Sequence, residues 1–248
     1  MNREEFTENL VKNLDNMTVG LNDTFKFHCN RCGNCCINRE DILLNPRDIY
    51  RMAKELKMPV GEFTFCYCQS YVGDTSRLLI MRLRPEGWKK ICPMLEGNKC
   101  RVHKAKPAVC AMFPLGRYIA IDKDSYNAEG VAQAEVKYLL QPIECGDDSE
   151  THTVRDWLSS FNIELEDQAF IRWQQTVSTL SPMLKELEKK WDPMTLLGIW
   201  VVVRQWLYEM YDTEKEFLPQ FEHNVEHLME LLQDIPKLKE KMENAIRP

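Results

Sequence analysis

Nine of the ten cysteines fall between residues 29 and 110, and four of them open that stretch as Cys29-x-x-Cys32-Gly33-x-Cys35-Cys36. Thiolates are soft ligands that select zinc, cuprous copper or iron–sulfur clusters, so a metal is the simplest reason to gather so many in one loop. A two-residue spacer lets two sulfurs converge on one ion or cluster, and Gly33 can supply the positive φ that a tight chelating turn needs. Cys35 and Cys36 are adjacent, and neighbouring side chains tend to point apart, so one of them is expected to face a second metal or another edge of the site. A closed site takes about four thiolates, so nine or ten cysteines could supply two sites with one or two left over. The candidate ligands are Cys29, Cys32, Cys35, Cys36, Cys68, Cys92, Cys100, Cys110 and Cys145, while Cys66 reads as a small buried hydrophobe.

Three evenly spaced thiols with a later Cys-Pro also match the ferredoxin pattern, and Cys92-Pro93 is such a dipeptide, which favours an iron–sulfur cluster over zinc. A disulfide framework is the other use of many cysteines, and it belongs to short secreted domains. The N-terminal stretch MNREEFTENLVKNL mixes charges with apolar residues and reads as an amphipathic helix rather than an export signal. The longest apolar run, Leu196 to Val203, is far below the ~20 residues that span a bilayer. A cytoplasmic location without membrane contact is therefore expected.

Composition divides near residue 150: all ten cysteines precede it and five of the six tryptophans follow it. Charge divides there too, with 21 Lys+Arg against 21 Asp+Glu up to residue 150 and 11 against 17 beyond it. The acidic balance argues against nucleic acid as a partner. One basic segment, from Arg82 to Lys106, holds eight cations against Glu86 and Glu96 and includes Cys92 and Cys100, so its charge could stabilise nearby thiolates.

These cysteines must be positioned by short elements. The pattern predicts helices over Glu4–Leu14, from Asn45-Pro46 to Leu56, and after Pro59 with Phe63, Cys66 and Cys68. Strands are predicted at Arg77–Leu83, Arg117–Ile121 and Glu135–Leu140. After Cys145-Gly146 the chain reads as helical, over Val154–Phe161, Asp167–Thr179, Pro182–Trp191, Pro193–Tyr211 and Phe217–Leu232. The Pro193–Tyr211 helix is apolar on two sides and should sit centrally in a bundle. The fold class expected is α+β and mostly helical: a cysteine-rich metal-binding lobe with a small β-sheet over residues 1–148, then a C-terminal helical bundle over 149–248.

The motifs from Cys29 to Arg117 resemble the YkgJ-type cysteine-cluster family, a zinc- or iron-chelating domain named for its CxxCxxCC signature. Beside the opening motif stand Cys92-Pro93, Cys100-Arg101-Val102-His103, and Lys106-Pro107-x-x-Cys110 followed by Phe113-Pro114. Tyr67-Cys68 and Cys145-Gly146 look like positions used in close relatives. The resemblance implies metal chelation in the cytoplasm, and some members are flagellin lysine N-methylases. No glycine-rich methyl-donor loop, phosphate loop, nucleophile elbow or HExxH helix is visible. His223 and His227 share a helical face but read as surface residues; His28, beside Cys29, could as a neutral imidazole complete a mixed Cys/His site, and His103, where the family often has tyrosine, reads as an outer neighbour of the thiols. Three readings follow: a zinc or iron–sulfur centre for metal handling, redox or sensing; an iron–sulfur-dependent protein lysine N-methylase; or a structural zinc module whose acidic helical lobe binds a protein partner.

Overall fold

A computed structural model describes residues 16–121, 134–143, 145–165 and 167–246, so the helix expected over Glu4–Leu14 lies outside the described residues. The chain enters through β1 (Thr18–Val19) and β2 (Thr24–His28), and β2 alternates buried Phe25 and Phe27 with exposed neighbours, the period of a strand with one face inward. After the cysteine loop come β3 (Leu43–Leu44) and α1 (Pro46–Glu55). Helix α1 starts as its sequence predicts. The Asn45 side chain accepts from the Asp48 N–H at 2.8 Å, the Asp48 carboxylate accepts from the Asn45 N–H at 3.2 Å, and Pro46 occupies the first turn. Ile49, Met52 and Ala53 are its buried face.

Helix α2 (Val60–Tyr67) follows Pro59 and carries Cys66, but Cys68 already belongs to β4 (Cys68–Val72). Strand β5 (Leu79–Leu83) lies between β3 and β4, all antiparallel, and realises the strand expected at Arg77–Leu83. A hairpin of β6 (Leu95–Glu96) and β7 (Lys99–Cys100) leads to α3 (Ala108–Met112). Strands β8 (Leu115–Ile121) and β9 (Ala134–Leu140) contain the two later strands expected from sequence, with β1 on the outer edge of β9.

The segment after Gly146 departs from expectation. Residues Asp147–Thr153 form strand β10, antiparallel to β2 with Thr151 opposite Lys26 and Thr153 opposite Thr24. Their sequence, DDSETHT, has no apolar alternation to announce a strand, so the pairing with β2 imposes the conformation. Helices α4 (Val154–Ser160), α5 (Gln168–Lys190), α6 (Pro193–Arg204) and α7 (Phe217–Ile246) follow, with a π-helical turn over Gln205–Glu209 closing α6. Helix α5 runs unbroken through Pro182, where the sequence predicts a division. Burial of Leu180, Leu184 and Leu187 along one stripe outweighs the local cost of an interior proline, about 3 kcal/mol. Seven α-helices and small sheets among the described residues make the fold α+β.

The helix expected to be central over Pro193–Tyr211 is so only in its second half; α6 itself is partly exposed. It buries Ile199 and Val203 and leaves Met194, Leu197 and Val201 at 76%, 58% and 48% exposure. Trp200 packs on the larger cluster, and Leu207, Tyr208 and Tyr211 beyond α6 are buried in it, so within α6 only Met194, Leu197 and Val201 of the large apolar residues stand in solvent. No helix among the described residues is long and apolar enough to cross a membrane.

Two hydrophobic clusters organise the interior. The larger joins α1, α2 and the β3-β5-β4 sheet to α5, α6 and α7, and so draws residues from both sides of position 148. Tyr208 pins that junction by donating to the Leu79 carbonyl at 2.8 Å. The smaller cluster holds Phe25 and Phe27 of β2 with Met112, Leu115, Tyr138, Val154 and Leu158. Asp167 bridges the two. It caps α5 by accepting from the Phe170 N–H at 3.1 Å, and it pairs with Arg47 of α1 at 2.7 Å and Arg117 of β8 at 2.9 Å.

The Arg117 side chain is only 7% exposed, so losing its partner leaves a buried charge. Asp167→Ala is expected to lower unfolding stability by about 3 kcal/mol in a urea titration. Asp167→Asn, which keeps a capping oxygen, should lose less.

Candidate metal centre

The cysteine loop is shaped by its backbone. Gly33 adopts φ 76° and opens a short 3-10 turn over Asn34–Cys36, in which the Cys36 N–H donates to the Gly33 carbonyl at 2.8 Å. That turn brings the Cys35 and Cys36 sulfurs to 3.9 Å from one another. The expectation that these neighbours point apart is thereby corrected. The tight turn holds both thiols toward the same region.

A second segment is stitched to this loop. The Cys92 N–H donates to the Cys36 carbonyl at 2.8 Å, and the Asn38 N–H donates to the Lys89 carbonyl at 3.0 Å, so the chain around Cys92 runs beside the loop. The Leu95 N–H then donates to the Cys92 carbonyl, and the β6–β7 register places Cys100 opposite Leu95. Cys110 sits in α3, whose start is held by the Ala108 N–H donating to the buried Asp48 carboxylate at 2.8 Å. One aspartate therefore caps α1 and anchors the helix that carries Cys110.

Cys145 arrives from a distant part of the chain. Strand pairing sets Asp147 opposite His28, which puts Cys145 and Cys29 at the same end of the β2–β10 ribbon. Gly146 makes this approach possible: it adopts φ 80°, and a Cβ there would stand 2.4 Å from the His28 carbonyl oxygen and 2.7 Å from the Phe27 ring. This pairing is the feature that sequence reasoning missed, and only weak β-branching at Thr151 and Thr153 could have signalled it.

Eight of the nine candidate ligands are thus brought into one region. Among the described residues, no three His, Cys, Asp or Glu side chains already stand in coordinating geometry. Cys68 is apart from the group. It is 5% exposed within the larger core, burial pushes its thiol up to about 12, and the charges acting on it are Arg204, Arg84 and Glu209. Cys66 is exposed, which reverses the expectation of a buried hydrophobe there. The α2-to-β4 transition turns Cys66 outward and its neighbour Cys68 inward.

The thiols perturb one another. The contact with Cys36, together with burial, pushes Cys35 strongly upward. For Cys36 the Cys35 contact acts downward, but the contact with Cys92, burial and nearby thiolates outweigh it and raise the group to about 11. Burial raises Cys110 to about 12, and burial also raises Cys100 and Cys145. Cys92 alone moves down, because Cys36 hydrogen-bonds to its thiolate. Two cations oppose the general rise. Arg39 acts on Cys35, Cys110 and Cys145, and Lys106 acts on Cys35 and Cys100. Lys106 belongs to the basic segment noted in the sequence; Arg39 lies outside it and is held in place by Asp41 at 2.6 Å and by the Cys35 carbonyl at 3.3 Å.

The histidines are peripheral. His28 turns its Nδ1 to Glu150 at 3.0 Å, and His103 is exposed, with burial, Lys106 and Arg31 holding its pKa down. His223 and His227 stack at 6.4 Å, with His227 against Trp206 at 4.2 Å.

Residues 28–135 match the sequence model of a family named CxxCxxCC, described as "Putative zinc- or iron-chelating domain". The cysteine segment is similar to that domain, and the match covers less than half of the chain. Seven of the eight gathered thiols fall inside it, and Cys145 lies beyond its end. An uncharacterised protein of Methanocaldococcus jannaschii is 28% identical over 88 residues, which make up 36% of this chain and 44% of that relative. The match spans less than half the length of the relative. No solved structure matches the chain.

Gly146→Ala is expected to destabilise the chain by about 2 kcal/mol, from the positive φ and the contact with the His28 carbonyl. It should also expose Cys145, seen as faster alkylation of that thiol in peptide mass spectrometry.

Proposed function

We propose that this chain is a cytoplasmic thiolate chelator that handles zinc or iron, with its ion held by the CxxCxxCC cysteines and Cys145. The observation that carries the reading is the convergence of eight thiols from five separate stretches of chain, held by backbone hydrogen bonds and strand pairing. Packing does not require it. Cys29, Cys32 and Cys35 are exposed and contribute nothing to either core.

The donor set fits zinc or an iron–sulfur cluster, since both are held by four thiolates in closed sites. When bound, either would supply positive charge that makes clustered thiolates tolerable. The chain's own residues gather the sulfurs, keep two cations beside them and leave one side open to solvent. Thiols raised to about 11 and about 12 are protonated in the metal-free chain at neutral pH, so each must release its proton on binding.

Affinity should therefore rise with pH. Zinc titrated into weakly buffered metal-free protein is expected to release protons, and zinc binding should weaken steadily as pH falls from about 8 to about 6. The deciding experiment is iron, zinc and acid-labile sulfide per chain on protein purified without oxygen or chelator. Stoichiometric zinc or iron supports the reading, and a chain empty of both rejects it.

One observation favours a second role for the helical half. Met194, Leu197 and Val201 form an exposed uncharged stripe on α6, a surface suited to a protein partner. Leu197→Glu with Val201→Glu should leave the thermal midpoint nearly unchanged while abolishing any self-association seen by analytical ultracentrifugation.

A further inference from the structure

Charge gathers a second time in the cleft between α1 and α5. Arg47 and Arg51 of α1, Arg117 of β8 and the carboxylates of Asp48 and Asp167 line it, and no cysteine does. The cleft holds about 340 Å³, part of it open to solvent. Among the described residues lining it, three guanidiniums face two carboxylates.

Both carboxylates are already engaged. Asp48 accepts from the Ala108 N–H at 2.8 Å with one oxygen and from the Asn45 N–H at 3.2 Å with the other. Asp167 accepts from Arg47 at 2.7 Å and from the Phe170 N–H at 3.1 Å with one oxygen, and from Arg117 at 2.9 Å with the other.

The guanidiniums keep donors to spare, since each carries five N–H groups and no acceptor. The Arg117 guanidinium carbon sits 3.8 Å from the centre of the Phe170 ring and the side chain is 7% exposed, yet only Nη1 makes a hydrogen bond. Arg51 is half-buried, and its one hydrogen bond runs from Nη2 to the Lys104 carbonyl at 3.2 Å. No carboxylate pairs with it among the described residues. Burial loosens its proton, Asp48 opposes that, and Arg47 beside it loosens the proton further. The exposed Asn162 side chain at the rim adds an amide without a hydrogen bond among the described residues.

The cleft therefore holds one more positive charge than negative and more donors than acceptors. Water can accept from the spare donors, but it does not balance the charge, and a half-buried cation without a counter-ion is costly. What fits is an anion with several acceptor oxygens.

We propose that this cleft binds a phosphate group, with Arg47, Arg51 and Arg117 donating to its oxygens while Asp167 fixes two of the three guanidiniums. The site is separate from the thiols and goes beyond the chelation reading. Three guanidiniums from two elements suit a tetrahedral oxyanion, which offers an oxygen to each. A carboxylate has only two oxygens, which one guanidinium fork can occupy. Because the cleft is open on one side, free phosphate and a phosphate monoester present the same oxygens to it.

The test is isothermal titration of inorganic phosphate into the reduced full-length chain, with its metal content as purified and at constant ionic strength. One saturable site with a Kd below about 1 mM is expected. Arg51→Gln should weaken binding by about tenfold or more. It breaks no ion pair, so it should leave the phosphate-free thermal midpoint and the metal content per chain unchanged. Lys185→Gln, which removes an exposed charge from α5, should leave the affinity as it is. Phenyl phosphate distinguishes the sources: binding as tight as that of inorganic phosphate assigns an esterified group, and loss of binding assigns the free anion. No saturable heat with phosphate, equal affinity in Arg51→Gln, or tighter binding of acetate than of phosphate would overturn the proposal and leave chelation standing. A chain empty of zinc and iron that still binds phosphate would reject chelation alone.

Discussion

Burying a thiol makes it costly to ionise, and this constraint governs the cysteine half of the molecule. Burial, with neighbouring thiolates adding to it, pushes Cys110 up to about 12, and the Cys92 contact together with burial raises Cys36 to about 11. Cys92 escapes because its neighbour donates to it. Other features of the site work against the same cost. Arg39 and Lys106 bring positive charge, Cys29, Cys32 and Cys35 keep their solvent, and the backbone does the gathering. A bound cation completes what these residues leave unfinished.

The gathering depends on two aspartates. Asp48 is buried, closes the capping box of α1 and accepts from the start of α3, so the larger core positions Cys110 through one carboxylate. Burial raises the Asp48 pKa, and the backbone N–H groups of Ala108 and Asn45 work against that rise by stabilising its ionised form. Asp167 does the parallel task between cores, joining α1, β8 and α5 through Arg47 and Arg117. These short polar contacts hold the two hydrophobic clusters in register, and the thiols of β2's end meet those of α3 as a result.

Local signals were read well where local physics decides. The Asn45-Pro46 start of α1 needed only a capping side chain and a proline, both adjacent in sequence. Strands β5, β8 and β9 showed their β-branched and apolar runs. Readings failed where packing overrode local preference: Pro182 interrupts nothing because α5 is buried along one stripe on both sides of it, and α6 leaves Met194, Leu197 and Val201 in solvent. The burial of Cys66 and Cys68 was misread for a related reason: Cys66 is exposed and Cys68 buried. Periodicity could not show that a helix turns into a strand between them.

The sequence by itself determined the chemistry: a dense set of soft ligands, a spacing of cysteines that suits a chelating loop, cations beside them, and the caps and faces of the main helices. These follow from residue type and from contacts within a few residues. Only the tertiary structure decided which thiols share a region. Cys145 joins the cluster through pairing of β10 with β2, and Cys92 through a backbone bond to Cys36, while Cys68 is withdrawn into the core. Such long-range pairings join backbone groups that all residues carry alike, so no local pattern announces them.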